Sequence, residues 1–156
     1  MKEEHYRGIT EFIRSRPFLH NWTRMADRMC PYLIAMLYFC GGLVLFERGH
    51  YNDLLWYFGM PAFKFVLVTL LRKILNFPRP YDVYHFNPIG PYEPGKGKSF
   101  PSRHTASAFA IARALWYVDK SFFAIGFLIA CSVGMLRIMT GKHFPKDVLA
   151  AMIFVL

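Results

Sequence analysis

Toward the C-terminus Arg137, His143 and Asp147 stand at the spacing R-x5-H-x3-D, in a tail that is otherwise mostly apolar. A histidine four residues ahead of an aspartate, beside a helix opened by Pro145, can have one ring nitrogen held by the carboxylate and the other aimed at a substrate. Arg137 supplies positive charge for an anionic substrate. Two earlier segments extend the set: Arg72-x6-Arg79-Pro80, and Pro101-Ser102-Arg103-His104. Cleavage of a phosphate ester needs a nucleophile in line with the leaving oxygen, positive charge on the remaining oxygens and a proton for the departing alcohol. The three segments offer a candidate for each. Near them only Asp82, Glu93 and Asp147 are acidic, too few for a hard-cation site, so neither a metal nor another cofactor is expected.

Taken in order, the three segments resemble the signature of the type 2 phosphatidic acid phosphatase superfamily, over the stretch from about residue 60 to the end. The resemblance implies a phosphohistidine mechanism. His143 would attack phosphorus, Asp147 would fix its tautomer and stabilise the developing imidazolium, and His104 would protonate the leaving oxygen and then activate water. Arg72, Arg79 and Arg137 would clamp the phosphoryl group, with Lys73 in reserve if the first motif is offset by one. Ser102 would add a hydroxyl, and the N–H groups of Ser102, Arg103 and His104 would form an anion site at a helix start. Three positions depart from the usual pattern: Arg72 replaces a lysine, Arg103 a glycine, and Leu136 a serine. Arg103 adds a cation beside the pocket, which suits a strongly charged headgroup such as a pyrophosphate.

The elements that must position these residues are apolar helices. The chain has 156 residues, 54% hydrophobic and 18% aromatic, too apolar for an ordinary soluble domain of this length. The expected fold is all-α: a multi-pass transmembrane bundle of about five membrane helices, residues 29–156, preceded by an N-terminal interfacial amphipathic arm, residues 1–28. Apolar runs occupy Met29 to Phe46, Leu54 to Leu71, Thr105 to Val118, Phe122 to Leu136 and Val148 to Leu156. Only the first two approach the ~20 residues that cross a bilayer. The shorter ones continue into motif residues, which places the site at headgroup depth. Within the arm, Ile9, Phe12 and Ile13 form an apolar face, Arg16-Pro17 a break, and Phe18, Leu19 and Trp22 a second short stretch. Between Asn76 and Pro101 six of the ten prolines gather with Gly90, Gly95 and Gly97, and no regular element is expected there. The run from Val148 reaches Leu156 with no cap or polar terminus, so the expectation is that the fifth helix is cut short.

Net charge is +9. Nine of the nineteen Lys and Arg residues lie at 72–103 and 137–146, as a phosphate pocket requires, and no nucleic-acid fold signature accompanies them. Lys64 and Arg113 fall inside apolar runs, where pairing within the bundle or snorkelling is the simplest account. The three cysteines lie in apolar runs and suggest no disulfide framework. The expected partners are therefore the bilayer and a membrane lipid phosphate, not nucleic acid. The leading functional expectation is a metal-independent phosphatase of a lipid phosphate or polyprenyl pyrophosphate in a multi-pass cell membrane protein. Undecaprenyl-type members of the superfamily favour an extracytoplasmic site. The alternatives are a lipid-binding membrane protein that keeps the pocket without turnover, and a vanadate-dependent haloperoxidase.

Overall fold

A computed structural model describes residues 1–156, which are helical and linked by turns and loops, without strands. The helices are α1 (Glu3–Arg14), α2 (Pro17–Glu47), α3 (Tyr51–Leu75), α4 (Pro80–Tyr84), α5 (Arg103–Ala114, continued by a 3-10 turn over Leu115–Tyr117), α6 (Lys120–Met139) and α7 (Pro145–Val155). Three stretches are long and apolar enough to cross a membrane: α2, residues Tyr51–Tyr84 around α3, and α6. Their large side chains point outward, among them Tyr32, Met36, Phe39, Leu55, Phe63 and Leu128, as a lipid-facing surface requires. With 12 and 11 residues, α5 and α7 rise only about 18 Å at ~1.5 Å per residue. The five membrane helices expected from the sequence thus resolve into three full-length spans and two shorter helices packed among them.

At the centre stands α5, in contact with α2, α3, α6 and α7. Its residues Ala106, Ala108, Ala110, Ala112 and Ala114 are all buried. In lipid, apolar burial gains little and helices associate by close packing of small residues, and the alanines permit this. Opposite them, a Cβ at Gly126 would meet Leu115 Cδ1 at 2.5 Å. The end of the bundle remote from the motifs is closed by Tyr38 and Tyr57. Their rings stack at 4.6 Å, and each hydroxyl donates to the other's backbone carbonyl, at 2.8 and 2.6 Å. Lys64 donates to the Val155 carbonyl, so this intramembrane charge binds α3 to α7.

Two local expectations change. The break at Arg16-Pro17 is present, but the stretch after it is not a separate short segment. Residues 17–47 form one helix, because Pro17 opens it at the first position and no second breaker follows, Pro31 being accommodated within it. The proline-rich stretch between α3 and α5 also contains a regular element, α4. Pro80 sits at its start and Asp82 in its first turn, both favourable at a helix N-terminus.

Helix α1 docks onto the motif-bearing end. Tyr6 and Ile13 are buried, and Tyr6 packs against Phe86, Tyr84 and Phe144 with ring centroids 5.6 to 6.0 Å apart. Its hydroxyl donates to the His143 carbonyl at 3.2 Å. Arg7 donates to the carbonyls of Tyr84 and His85, and Arg14 to that of Asn87.

Candidate active site

The three motifs converge at one end of the bundle. The last turn of α3 carries Arg72, the residue before α4 is Arg79, and α5 begins with Arg103 and His104. The last turn of α6 carries Arg137, and α7 has Asp147 in its first turn. Between α6 and α7 the chain reverses at Gly141, with φ +75°, where a Cβ would come within 2.6 Å of Phe86. The Arg137 carbonyl accepts the N–H groups of both Lys142 and His143 at 3.1 Å. That turn drives His143 inward, to 2% exposure.

His143 Nδ1 lies 3.5 Å from Asp147 Oδ2, within ion-pair reach but longer than a good hydrogen bond. The same oxygen accepts from Ser99 Oγ at 2.6 Å and from the Phe144 N–H at 3.0 Å. Asp147 thus caps α7 and faces His143 with one oxygen, while its Oδ1 and His143 Nδ1 have no hydrogen-bond partner. Burial works to raise the Asp147 carboxyl, but His143, Ser99 and the Phe144 N–H outweigh it and hold it below the ordinary carboxylate range. Burial, only partly opposed by Asp147, pushes the His143 imidazole down to about 4. Near neutral pH this is an uncharged histidine beside an ionised carboxylate.

Their neighbours Lys142 and Arg137 line, with His104, a cavity of about 530 Å³, and eight of its fourteen lining residues are Lys or Arg. Arg72 is buried and donates to the Pro101 carbonyl at 2.7 Å. Arg79 donates to the Gly97 carbonyl at 3.1 Å. Arg103 is exposed over the Phe65 ring, and the reserve candidate Lys73 lines the same cavity. The only carboxylate on its wall, Glu93, is tied to Lys96. His104 opens onto this cavity and onto two neighbouring clefts. Its ring is reachable by solvent, yet the surrounding protein mass, with repulsion from Arg137, His143, Arg103 and Arg72, holds it below the usual histidine range.

Of the residues singled out from the sequence, Arg72, Lys73, Arg79, Arg103, His104 and Arg137 line the cavity, whereas His143, Asp147 and Ser102 do not; Ser102 is the one engaged elsewhere. It is fully buried, its hydroxyl is bonded to Thr105 Oγ1 at 2.9 Å, and its N–H donates to the Asp147 carbonyl at 3.0 Å. The reason is local. At the residue before α5 a serine turns back toward its own first turn, so neither its hydroxyl nor its N–H is free for an anion.

Sequence reasoning did not single out Ser99, Lys142 or Asp27. Lys142 Nζ lies 2.8 Å from Asp27 Oδ2, and Arg137 Nε lies 3.4 Å from Asp27 Oδ1. Asp27 therefore holds two cations of the site from a helix more than one hundred residues away. A signal existed, since Asp27 is the only acid between Glu11 and Glu47, at the mouth of an apolar span. Ser99 offered none, because serine in a loop before a helix is commonplace.

The family model described as the PAP2 superfamily matches residues 53–155. A lipid A 1-phosphatase of Rhizobium etli is 35% identical over 102 residues, covering 60% of this chain and 41% of that protein. The undecaprenyl-diphosphatase BcrC of Bacillus subtilis is 28% identical over 98 residues, 62% of this chain and 50% of that protein. The chain thus matches half or less of the length of these relatives. Among solved structures, Aquifex aeolicus LpxE superposes with a TM-score of 0.73 at 30% identity, over 97% of this chain and 87% of that one. A PAP2-type phosphatidylglycerolphosphate phosphatase from Bacillus subtilis gives 0.72 at 22% identity, over 96% and 78%, a likeness of fold.

Proposed function

Because the chain belongs to the PAP2 superfamily, a family of membrane phosphatases, we propose that it hydrolyses a lipid-borne phosphate or pyrophosphate through a phosphohistidine, without a metal. The observation that carries this reading is the buried pair His143–Asp147, held next to Lys142 and on the same turn as Arg137, two residues that with His104 line a cavity walled by arginines and lysines. His143 Nε2 attacks phosphorus, forming an N–P bond as the P–O bond to the lipid breaks. His104 gives its proton to the departing oxygen. Asp147 balances the positive charge that grows on His143, and its separation of 3.5 Å shortens once that charge develops. A water that yields a proton to His104 then cleaves the N–P bond and releases phosphate.

Arg72, Arg79 and Arg137 hold the equatorial oxygens in this reading, since planar guanidiniums match them bidentately. They also supply the positive charge that a divalent metal brings to other phosphatases. The names of the relatives point to two substrate classes, a phosphorylated saccharide lipid and a polyprenyl diphosphate. The cavity lies at headgroup depth, and we place it on the extracytoplasmic face, where a cysteine in place of Lys96 would be labelled in intact cells by an impermeant maleimide.

The test is phosphate release by purified protein from a panel of phosphatidic acid, phosphatidylglycerol phosphate and a polyprenyl diphosphate, with EDTA present throughout. Turnover that resists EDTA and is blocked by vanadate supports the reading, because vanadate adopts the five-coordinate geometry of phosphoryl transfer. Activity lost with EDTA and restored by Mg²⁺ would remove the metal-independent mechanism.

A further inference from the structure

Beyond His104 the reaction cavity continues into a second, larger cleft, about 990 Å³. It is walled by the first turns of α2, a part of the chain that precedes the family match at residues 53–155. Asn21, Arg24 and Arg28 form its polar wall, and Met25, Met29 and Tyr32 an apolar one. Arg24 and Arg28 are one helical turn apart, about 6 Å along the axis at ~1.5 Å per residue. Both are exposed, and neither takes part in an ion pair or a side-chain hydrogen bond. The single carboxylate in the cleft, Asp27, is already committed to Lys142 and Arg137. These two arginines are therefore uncompensated cations facing a cleft that shares His104, Arg137 and Lys142 with the reaction cavity.

Resting on the phosphatase reading above, we propose that this cleft is a second anion subsite. Arg24 and Arg28 bind a negatively charged group of the same substrate, a second phosphate or a carboxylate, carried on the headgroup away from the phosphate that is cleaved. A cleft of this size exceeds what one phosphoryl group fills. Its continuity with the reaction cavity favours a group on the same molecule over the headgroup of a neighbouring lipid. The pairing of apolar and cationic walls fits a bulky amphiphilic headgroup at the membrane surface.

The test compares phosphatidylglycerol phosphate, whose phosphodiester is a second anion one glycerol unit from the terminal phosphate, with phosphatidic acid, which has none. In detergent, the ratio of kcat/KM for the first over the second is expected to fall at least tenfold in Arg24→Ala/Arg28→Ala and to be largely restored in Arg24→Lys/Arg28→Lys. A melting curve close to that of the parent shows that the variants are folded. An equal loss on both lipids, or no loss on either, would overturn the subsite. So would stimulation of phosphatidic acid turnover by added phosphatidylglycerol that disappears in the double alanine variant, because the anion would then belong to a neighbouring lipid. Binding of non-hydrolysable phosphonate analogues of the two lipids makes the same comparison without turnover. If the parent protein cleaves neither of these lipids nor a polyprenyl diphosphate, the phosphatase reading fails, and the subsite still stands or falls on whether the two-anion analogue loses its tighter binding in the alanine variant.

Discussion

The loop from Thr140 to Asp147 and the first turns of α2 border the same reaction space, but they are built in opposite ways. In the loop nearly everything is buried and committed. His143 and Asp147 are 2% and 0% exposed, one carboxylate oxygen serves Ser99, the Phe144 N–H and His143, and Gly141 admits only a glycine's backbone. In the first turns of α2 a single half-buried acid, Asp27, is flanked by Arg24 and Arg28, which are exposed and unpaired. A group that breaks bonds must be held in place before the substrate arrives. A group that reads a headgroup can remain solvated until it binds. The matched family stretch, residues 53–155, covers the first region and leaves out the second, in keeping with the proposal that chemistry and headgroup choice reside in separate parts of the chain.

The contrast breaks most sharply at the histidines. His143→Ala and His104→Ala should each lower kcat by about 10³-fold or more, following the cost of removing a nucleophile or a general acid, with melting in detergent little changed. Near-normal phosphate release from the purified His143→Ala protein would remove the phosphohistidine step.

The two carboxylates should then separate. Asp147→Asn keeps the shape but loses the charge that balances His143, and kcat should drop about 10²-fold or more with a small change in KM, as for other residues that orient a catalytic histidine. Asp27→Asn frees Lys142 and Arg137 from their partner without touching His143. Its effect should be milder, roughly tenfold at the level of a lost buried ion pair's positioning, and should fall mainly on KM. Steady-state kinetics on both variants decides, and a kcat effect at Asp27 as large as that at Asp147 would erase the distinction.

A smaller effect concerns protons. His104 lies below the usual histidine range, so it is neutral near pH 7. A bound phosphate dianion opposes the surrounding cations and raises its proton affinity, so binding should take up a fraction of a proton, and affinity should rise as pH falls from about 8 to 6. Calorimetry with a phosphonate analogue in buffers of different ionisation heat measures the uptake, and His104→Gln should reduce it. The smallest change is expected outside both regions. Tyr6→Phe removes one hydrogen bond to the His143 carbonyl, worth ~1 kcal/mol, and should lower the melting temperature slightly while kcat falls less than about threefold. A larger kcat loss would show that α1 is part of the loop's positioning apparatus.

Residue spacing, with the family resemblance it carries, was enough to single out residues that the structure brings to one end of the bundle. Arg72, Arg79, His104, Arg137, His143 and Asp147 follow one another in readable motifs because each is anchored at a helix end whose start or stop is written locally, by Pro80, Pro145 or Gly141. The apolar runs disclosed a helical membrane protein for the same reason, since a span in lipid must satisfy its own backbone and so records itself in continuous sequence. What depended on distant parts of the chain stayed hidden. Nothing around Ser102 in the sequence disclosed that its hydroxyl meets Thr105 and its N–H the Asp147 carbonyl. Nothing within residues 1–28 disclosed that α1 lies against the loop carrying His143 or that α2 runs on through residue 28. Asp27 meets Lys142 and Arg137 because α2 packs against α6, a contact that no pattern near residue 27 records. Local chemistry chose the reacting residues, whereas helix packing decided which cations they share the cavity with and which of those are left free.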